Sequence, residues 1–294
     1  MINKASIYMN EDITNILDNG YIDEDPRPKY KDGRPAHTIS VNQVVRKYDL
    51  SKDEFPICTL RPIAWKSAIK EVLWIYQKQS SSLRVLEEDF NIGWWREWES
   101  KDRPNTIGQW YGATVNKYNL VDNLINDIIT NPYVRRKIMD LWQESDLNET
   151  DGLCPCAFLT MWNVRKGTDK SYLDMTLVQR SGDMITASGA GGVNEVQYAA
   201  LLMMIARHCN LLPGVFCHFV QNEQIYDRHI DQAIEMRNRF NRMKQDEYFH
   251  DKEYKIPKLV LKEHVDNFYS MTIDDFELID YEPIKPQLKL ELGI

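Results

Sequence analysis

Cys156 sits in Leu153-Cys154-Pro155-Cys156, at the entrance to an apolar stretch. A free cysteine is most often a small buried hydrophobe, and Cys156 taken alone fits that description. A thiol becomes a nucleophile when nearby positive charge lowers its pKa, so the arginines decide its meaning. Arg180 closes the apolar stretch YLDMTLVQR and belongs to the polar string Gln179-Arg180-Ser181-Gly182-Asp183. Arg135-Arg136 follow Asn131-Pro132, and Arg27 lies in a polar loop. Taken singly an arginine is most often a solvated surface charge; Arg180 is the exception, because its polar string ends an apolar strand where a site could open. Gathered from distant segments, guanidinium groups would grip a phosphate bidentately and favour a thiolate. The Cys154/Cys156 pair has no second Cys/His pair at metal spacing, so no metal is expected.

Elements must bring these residues together. Residues 2–19 read as an amphipathic helix stopped by Gly20, and Thr38 to Val45 as a strand. Pro62 fits the first turn of a helix running to about Gln79. The stretch 93–112, with four tryptophans and three glycines, is loop-like. A helix spans 120–130. Segments 156–165 and 172–180 flank a turn and read as a hairpin of half-buried strands. Asn194 to Cys209 is apolar nearly all round, which places that helix in the core. A strand at 215–220, a helix at 225–243 and a strand near 288–292 complete the chain. Strands and helices mix without βαβ regularity, so an α+β or mixed α/β layer fold is expected. No repeat or Gly/Ser-rich linker divides 1–294, which reads as one domain.

Composition narrows the function. Lys plus Arg number 36 against 44 for Asp plus Glu, a net charge of −8. That balance argues against a DNA-binding protein, which carries a basic face. The longest apolar run, Tyr198 to Ala206, is far short of the ~20 residues that cross a bilayer, so no membrane partner is expected. The N-terminus lacks the pattern of a signal peptide. Five cysteines, odd in number and sparse, imply no disulfide framework and favour the cytoplasm.

In order and spacing, IAWKSAIKEVLW, WWREW, IGQWYG, NPYVRRKI, LCPCAF, QRSGD and QIYDRHI carry a resemblance, over the whole chain, to the thymidylate synthase family. IAWKSAIKEVLW matches the family's early helix with its glutamate, here Glu71, and WWREW matches its tryptophan motif, usually IWDEW, placing Trp95 and Trp98. IGQWYG supplies Tyr111 and Gly112; NPYVRRKI resembles the double-arginine motif. LCPCAF resembles the nucleophile motif, QRSGD the phosphate-and-folate motif, QIYDRHI the sugar-binding HxY segment, and Gly293-Ile294 the short apolar tail.

The resemblance implies transfer of a one-carbon unit from methylenetetrahydrofolate to carbon 5 of dUMP, with Cys156 adding to carbon 6 as covalent catalysis. Arg27 and Arg180 of one subunit, and Arg135 and Arg136 of the other, would hold the phosphate, which makes the protein a homodimer with shared sites formed on a sheet face. Glu71 would manage protons; its apolar helical neighbours Ala68, Trp74 and Ile75 place it on the edge of a buried face, where desolvation raises its pKa. Tyr111 would assist removal of the carbon 5 proton. Asn194 would read uracil, since an amide matches its N–H and carbonyl on one edge; it could equally be an N-cap for the helix that follows. Gln179 and Ser181 complete the nucleotide site, and Gln224 and Tyr226 would meet the sugar. Trp95 would stack on the folate and Asp183 bind its pterin, with Arg61, Ala64 and Gly293 also on the folate side.

Four departures from the family pattern bear on specificity. Ala157 follows the nucleophile where many members carry His, and Arg96 replaces the Asp of the tryptophan motif. Gln224 takes the His position of HxY, after Asn222-Glu223 in place of Asp-Ala, and alters how a 3′-OH or 2′-OH is treated. The segment MITASGAGGV (184–193) is longer than the family's LGxPFN-type linker and holds three glycines, Gly189, Gly191 and Gly192. Two alternatives follow: a pyrimidine nucleotide hydroxymethylase acting on dUMP, dCMP or CMP with the same folate, and a binding homologue without catalysis.

Overall fold

The computed structural model describes residues 1–149, 151–249 and 252–291. In chain order the elements are α1 (Lys4–Asn19), β1 (Tyr21–Ile22), β2 (Thr38–Asp49), α2 (Trp65–Val72), α3 (Leu83–Phe90), α4 (Gly112–Lys117), α5 (Leu120–Thr130) and β3 (Lys137–Asp140). They continue with β4 (Ala157–Arg165), β5 (Tyr172–Gln179), β6 (Gly182–Asp183), α6 (Val193–His208), β7 (Leu212–Tyr226), α7 (Ile230–Phe249), β8 (Lys258–Leu261) and β9 (Phe276–Ile279).

One seven-stranded sheet runs β1-β2-β7-β5-β4-β3, with β6 beside β7. The β5–β7 and β6–β7 pairs are parallel and the others antiparallel. β8 and β9 form a separate antiparallel pair. The expected mixed α/β architecture is therefore present.

Alternation in the strands sets which residues face inward. Along β5, Leu173, Met175, Leu177 and Gln179 are buried while the intervening residues are only half-buried. On β7 the inward row includes Phe216, His218 and Val220, and on β2 Arg46 lies opposite His218. Polar groups thus occupy inward positions at the end of the sheet that leads to Cys156. The other face keeps exposed apolar side chains, among them Val45, Ile138 and Met161.

α6 packs across the inner face with Leu201, Leu202, Met204 and Ile205 wholly buried. At ~1.5–3 kcal/mol for each such side chain, this burial anchors the helix whose first turns carry Asn194 and Gln197. α1 presents Ala5, Met9, Ile13 and Ile16 inward and begins at Asn3, whose side chain accepts from the Ser6 N–H.

Several sequence expectations are corrected here. Gly20 does end α1, but in an extended conformation. It is glycine because a Cβ there would stand 2.4 Å from the Ile16 carbonyl oxygen. Pro62 precedes the helix instead of opening it: α2 starts at Trp65, and a π-helical turn, Leu73–Gln77, follows. β2 runs on to Asp49 and β7 to Tyr226, so the following helix starts at Ile230. Charged residues inside those strands mask the pattern, because Arg46 and Glu223 are buried as partners of one another. No strand forms over Leu288–Glu291; the remainder of the expected 288–292 strand lies outside the described residues. β1, β3, β8, β9, α3 and α4, each eight residues or fewer, were not anticipated.

Candidate active site

Cys156 lies one residue before β4, and Arg180 one residue after β5. Antiparallel pairing brings them side by side: the Arg180 N–H donates to the Cys156 carbonyl at 2.9 Å. The Arg180 guanidinium is then aimed by the loop before β4, donating from Nε to the Pro155 carbonyl and from Nη2 to the Cys154 carbonyl, each at 2.9 Å. Its other face lies over the Trp142 ring, 5.7 Å from the centroid. Burial pushes the Cys156 thiol above its ordinary range, with Arg180 and, more weakly, Arg27 pulling it back. Within one chain desolvation outweighs the pull of Arg180 and Arg27.

The Cys156 N–H donates to the Tyr111 hydroxyl oxygen at 3.2 Å. Tyr111 is buried and holds a left-handed backbone, φ +48°, a conformation that costs of order 1–3 kcal/mol in a non-glycine residue and gathers at functional sites. Gly112 after it is obligatory, since a Cβ would meet the Ser80 backbone oxygen at 2.2 Å. The Tyr111 ring packs edge-on against Trp95, centroids 5.3 Å apart.

Glu71, near the end of α2, is only 7% exposed. Its Oε1 accepts from Gln197 Nε2 at 2.9 Å and its Oε2 from Trp94 Nε1 at 3.0 Å. Burial pushes its carboxyl above the usual range, against the favourable influence of Trp95, Gln197 and Trp94. The Trp95 N–H favours the carboxylate by proximity alone, because Nε1 is buried without a hydrogen-bond partner. Sequence reading identified Glu71 and Trp95 but passed over Trp94 and Gln197. The only signal for Gln197 was a polar residue in an otherwise apolar helix.

Asn194 is the second residue of α6, and Gly192 takes the N-cap position; the N-cap reading of Asn194 is thereby replaced. Its Oδ1 accepts from Gln179 Nε2 at 3.3 Å and its Nδ2 donates to Gln197 Oε1 at 3.0 Å. Gln179 Nε2 also donates to the Ser181 carbonyl, 3.0 Å, and its Oε1 meets His218 Nε2, 3.0 Å. Behind His218 lies a buried cluster. Arg46 binds Glu195 at 2.7 Å, Asp12 at 2.7 Å and Glu223 at 2.8 Å. Burial opposes the Glu195 carboxylate, but Arg46 and the His218 hydrogen bond hold it down to about 2. Burial pushes Glu223 up to about 8.

Asp183 caps a π-helical turn, Met184–Ser188, by accepting from the Thr186 N–H, and lies 3.9 Å from His229 Nδ1. Burial raises its carboxyl. Arg61 is buried and directs Nη2 to the Ile185 and Thr186 carbonyls at 2.6 and 3.0 Å, so its guanidinium straps that turn. Tyr226 is buried, pushed up to about 12 mainly by burial, and feels both Asp183 and Cys156; Gln224, in register with Asp183, bonds to it. Ala64 is exposed at the start of α2, and Arg27, Arg135 and Arg136 are exposed. Gly293 lies outside the described residues.

The glycine-rich departure has a packing cause. Gly191 holds φ +64°, and a Cβ on it would stand 2.3 Å from the Cys58 nitrogen and 2.7 Å from the Ala5 side chain. Gly189–Gly192 are buried; a Cβ on Gly189 would stand 3.0 Å from the Met9 side chain of α1, and one on Gly192 2.6 Å from the Ala187 carbonyl oxygen.

The Cys156 loop held by Arg180, the buried Glu71 carboxyl and the Gln179–Asn194–Gln197 amide run converge beside one mixed sheet. The thymidylate synthase family model matches residues 7–294. Thymidylate synthase of Lactococcus lactis subsp. cremoris is 49% identical over 286 residues, covering 97% of each chain. That of Streptococcus pneumoniae is 47% identical over 292 residues, covering 99% of each. The solved structure of thermostable thymidylate synthase A from Bacillus subtilis superposes with a TM-score of 0.83 at 34% identity, covering 98% of this chain and 99% of the other. The chain belongs to the thymidylate synthase family. Among the described residues no helix is long and apolar enough to cross a membrane.

Proposed function

We propose that the chain, one catalytic domain over 1–294, methylates dUMP to dTMP, with Cys156 as the nucleophile. The observation that carries this reading is the Cys156–Arg180–Tyr111 arrangement set beside the Glu71–Gln197–Asn194 hydrogen-bond run. Sγ adds to carbon 6 of uracil and makes carbon 5 an enolate nucleophile, splitting one hard step into two. Glu71, whose carboxyl burial pushes above its ordinary range, exchanges a proton with the ring oxygen as charge moves there. Tyr111 assists departure of the carbon 5 proton, and Sγ leaves as the ring recovers its double bond. Asn194 keeps one donor and one acceptor for the uracil edge.

Methylenetetrahydrofolate, when bound, supplies the one-carbon unit and the hydride. The residues present suit it: Trp95 is a buried aromatic ring beside Tyr111, and Asp183 is a half-buried carboxyl 3.9 Å from a His229 Nδ1 that has no hydrogen-bond partner. Trp95 would cover the pterin and exclude water, and Asp183 would bind it. Arg61 serves this side by holding the turn that follows Asp183.

The phosphate site and the thiol both call for a second subunit. Within one chain burial holds the Cys156 thiol up, so further positive charge is needed for the thiolate. Arg135 and Arg136 of a second copy supply it, through a homodimer formed on the sheet face that exposes Val45, Ile138 and Met161. Five free cysteines among the described residues accord with a reducing cytoplasm.

The test is to mix the protein with dUMP and methylenetetrahydrofolate and follow dihydrofolate by absorbance and the nucleotide by mass. Dihydrofolate and dTMP formed in equal amounts are expected. A nucleotide product without dihydrofolate means hydroxymethylation and overturns the reading.

A further inference from the structure

The amide of Asn194 does not stand alone; it is the middle link of a run whose two ends accept only. At one end Gln179 Nε2 faces the Ser181 carbonyl, which cannot donate. Gln179 therefore turns Oε1 toward His218, whose Nε2 stands 3.0 Å away. His218 Nδ1 stands 3.0 Å from Glu195 Oε1 and 3.2 Å from Arg46 Nη2, so it is the Ser181 carbonyl, an acceptor only, that fixes which way the Gln179 amide faces. At the other end Gln197 Nε2 faces Glu71 Oε1 at 2.9 Å, which leaves Gln197 Oε1 facing Asn194. Both ends thus demand the same orientation of Asn194: Oδ1 toward Gln179 and Nδ2 toward Gln197.

From this arrangement the geometry points to Gln197 and Gln179 as positioning residues that select uracil over cytosine by locking the Asn194 amide. The inference rests on the proposed reading of the base by Asn194 and extends it. Uracil offers an N–H and a carbonyl to the locked amide. Cytosine offers an unprotonated ring nitrogen and an amino group, the reverse pattern. To meet it Asn194 must turn over. Its Nδ2 then faces Gln179 Nε2, and its Oδ1 faces Gln197 Oε1. Neither glutamine can follow without presenting oxygen to the Ser181 carbonyl or to the Glu71 carboxylate. A buried donor and a buried acceptor lose their partners at once, the costly case for hydrogen bonds. All four side chains stem from the sheet and the first turns of α6, which are core elements, so the lock is rigid.

Gln197 bears the proposal because it touches Asn194 and Glu71 but no part of the base need touch it. The experiment is calorimetric binding of dUMP, and of dCMP directly or in competition, to the full chain and to Gln197→Met, Gln197→Glu and Asn194→Ala. A melting transition checks that each variant folds. Gln197→Met keeps volume and removes both hydrogen bonds; it is expected to narrow the dUMP preference by about tenfold, through tighter dCMP binding. Gln197→Glu is expected to keep the preference, because the introduced carboxyl still accepts from Asn194. Should Gln197→Met not fold, Gln197→Ser withdraws the same contacts with a smaller side chain and is expected to narrow the preference likewise. An unchanged preference in Gln197→Met or Gln197→Ser, while Asn194→Ala loses it, overturns the lock and leaves base reading by Asn194 standing. An unchanged preference in Asn194→Ala overturns both. Parallel weakening of both nucleotides in Gln197→Met marks a merely structural role and also overturns it.

Discussion

Substitution of Cys156 by alanine separates chemistry from binding. Turnover should vanish while calorimetric binding of dUMP persists, because the phosphate and base contacts remain; near-normal turnover would exclude the covalent scheme. For Glu71, burial raises the carboxyl above its ordinary value, so its proton is retained to higher pH than in a free glutamate. Activity that needs the protonated carboxyl is therefore present at low pH and falls as pH rises through that raised value. Glu71→Gln should lower kcat by about 10²–10⁴, the usual reach of acid–base catalysis, and flatten that limb of the pH profile. An unchanged profile would assign the limb to another group. Sequence motifs pointed to both residues, but the sign of the Cys156 shift was not legible, because desolvation depends on what surrounds the sulfur.

Among the elements, the strands hold the polar machinery through one buried cation. Arg46 on β2 joins Asp12 of α1, Glu195 of α6 and Glu223 of β7. Arg46→Met would leave these carboxylates without their counter-ion and should cost about 3–5 kcal/mol in chemical denaturation; a loss under about 1 kcal/mol would contradict this. Glu223 has a folded pKa of about 8 against an unfolded value near the ordinary one. Between those values the native state holds a proton that the unfolded chain has released, so stability from this group declines as pH rises from about 5 to 8. Glu223→Gln should remove that part of the decline, read as melting temperature against pH. The same cluster explains why β2 and β7 looked shorter from sequence: a charge inside a strand signals its end unless a distant partner is known. Helices with a long apolar pattern, 120–130 and the one beginning near 194, were legible almost to the residue.

At the scale of the whole molecule, the proposed homodimer would cover the outer sheet face, which exposes Val45, Ile138 and Met161. Met161→Lys should shift the protein toward monomer in sedimentation and lower activity with it; full activity in a demonstrated monomer would refute shared sites. Arg135→Ala should weaken dUMP more than the phosphate-free nucleoside. Mixing inactive Cys156→Ala with Arg135→Ala chains should restore about a quarter of the sites, since half of randomly formed dimers are mixed and each mixed dimer has one intact site. No recovery after exchange would place the arginines elsewhere.

Local sequence determined the family, the order of the main elements and most of the residues that bear chemistry, because motifs and periodicity are written along the chain. Tertiary structure decided how those residues act on one another. Gln197 and Glu71 meet across 126 positions, and His218 and Gln179 across 39. The orientation of an amide and the proton on a carboxyl are set by neighbours in space and by the water they exclude, and no spacing along the chain records either.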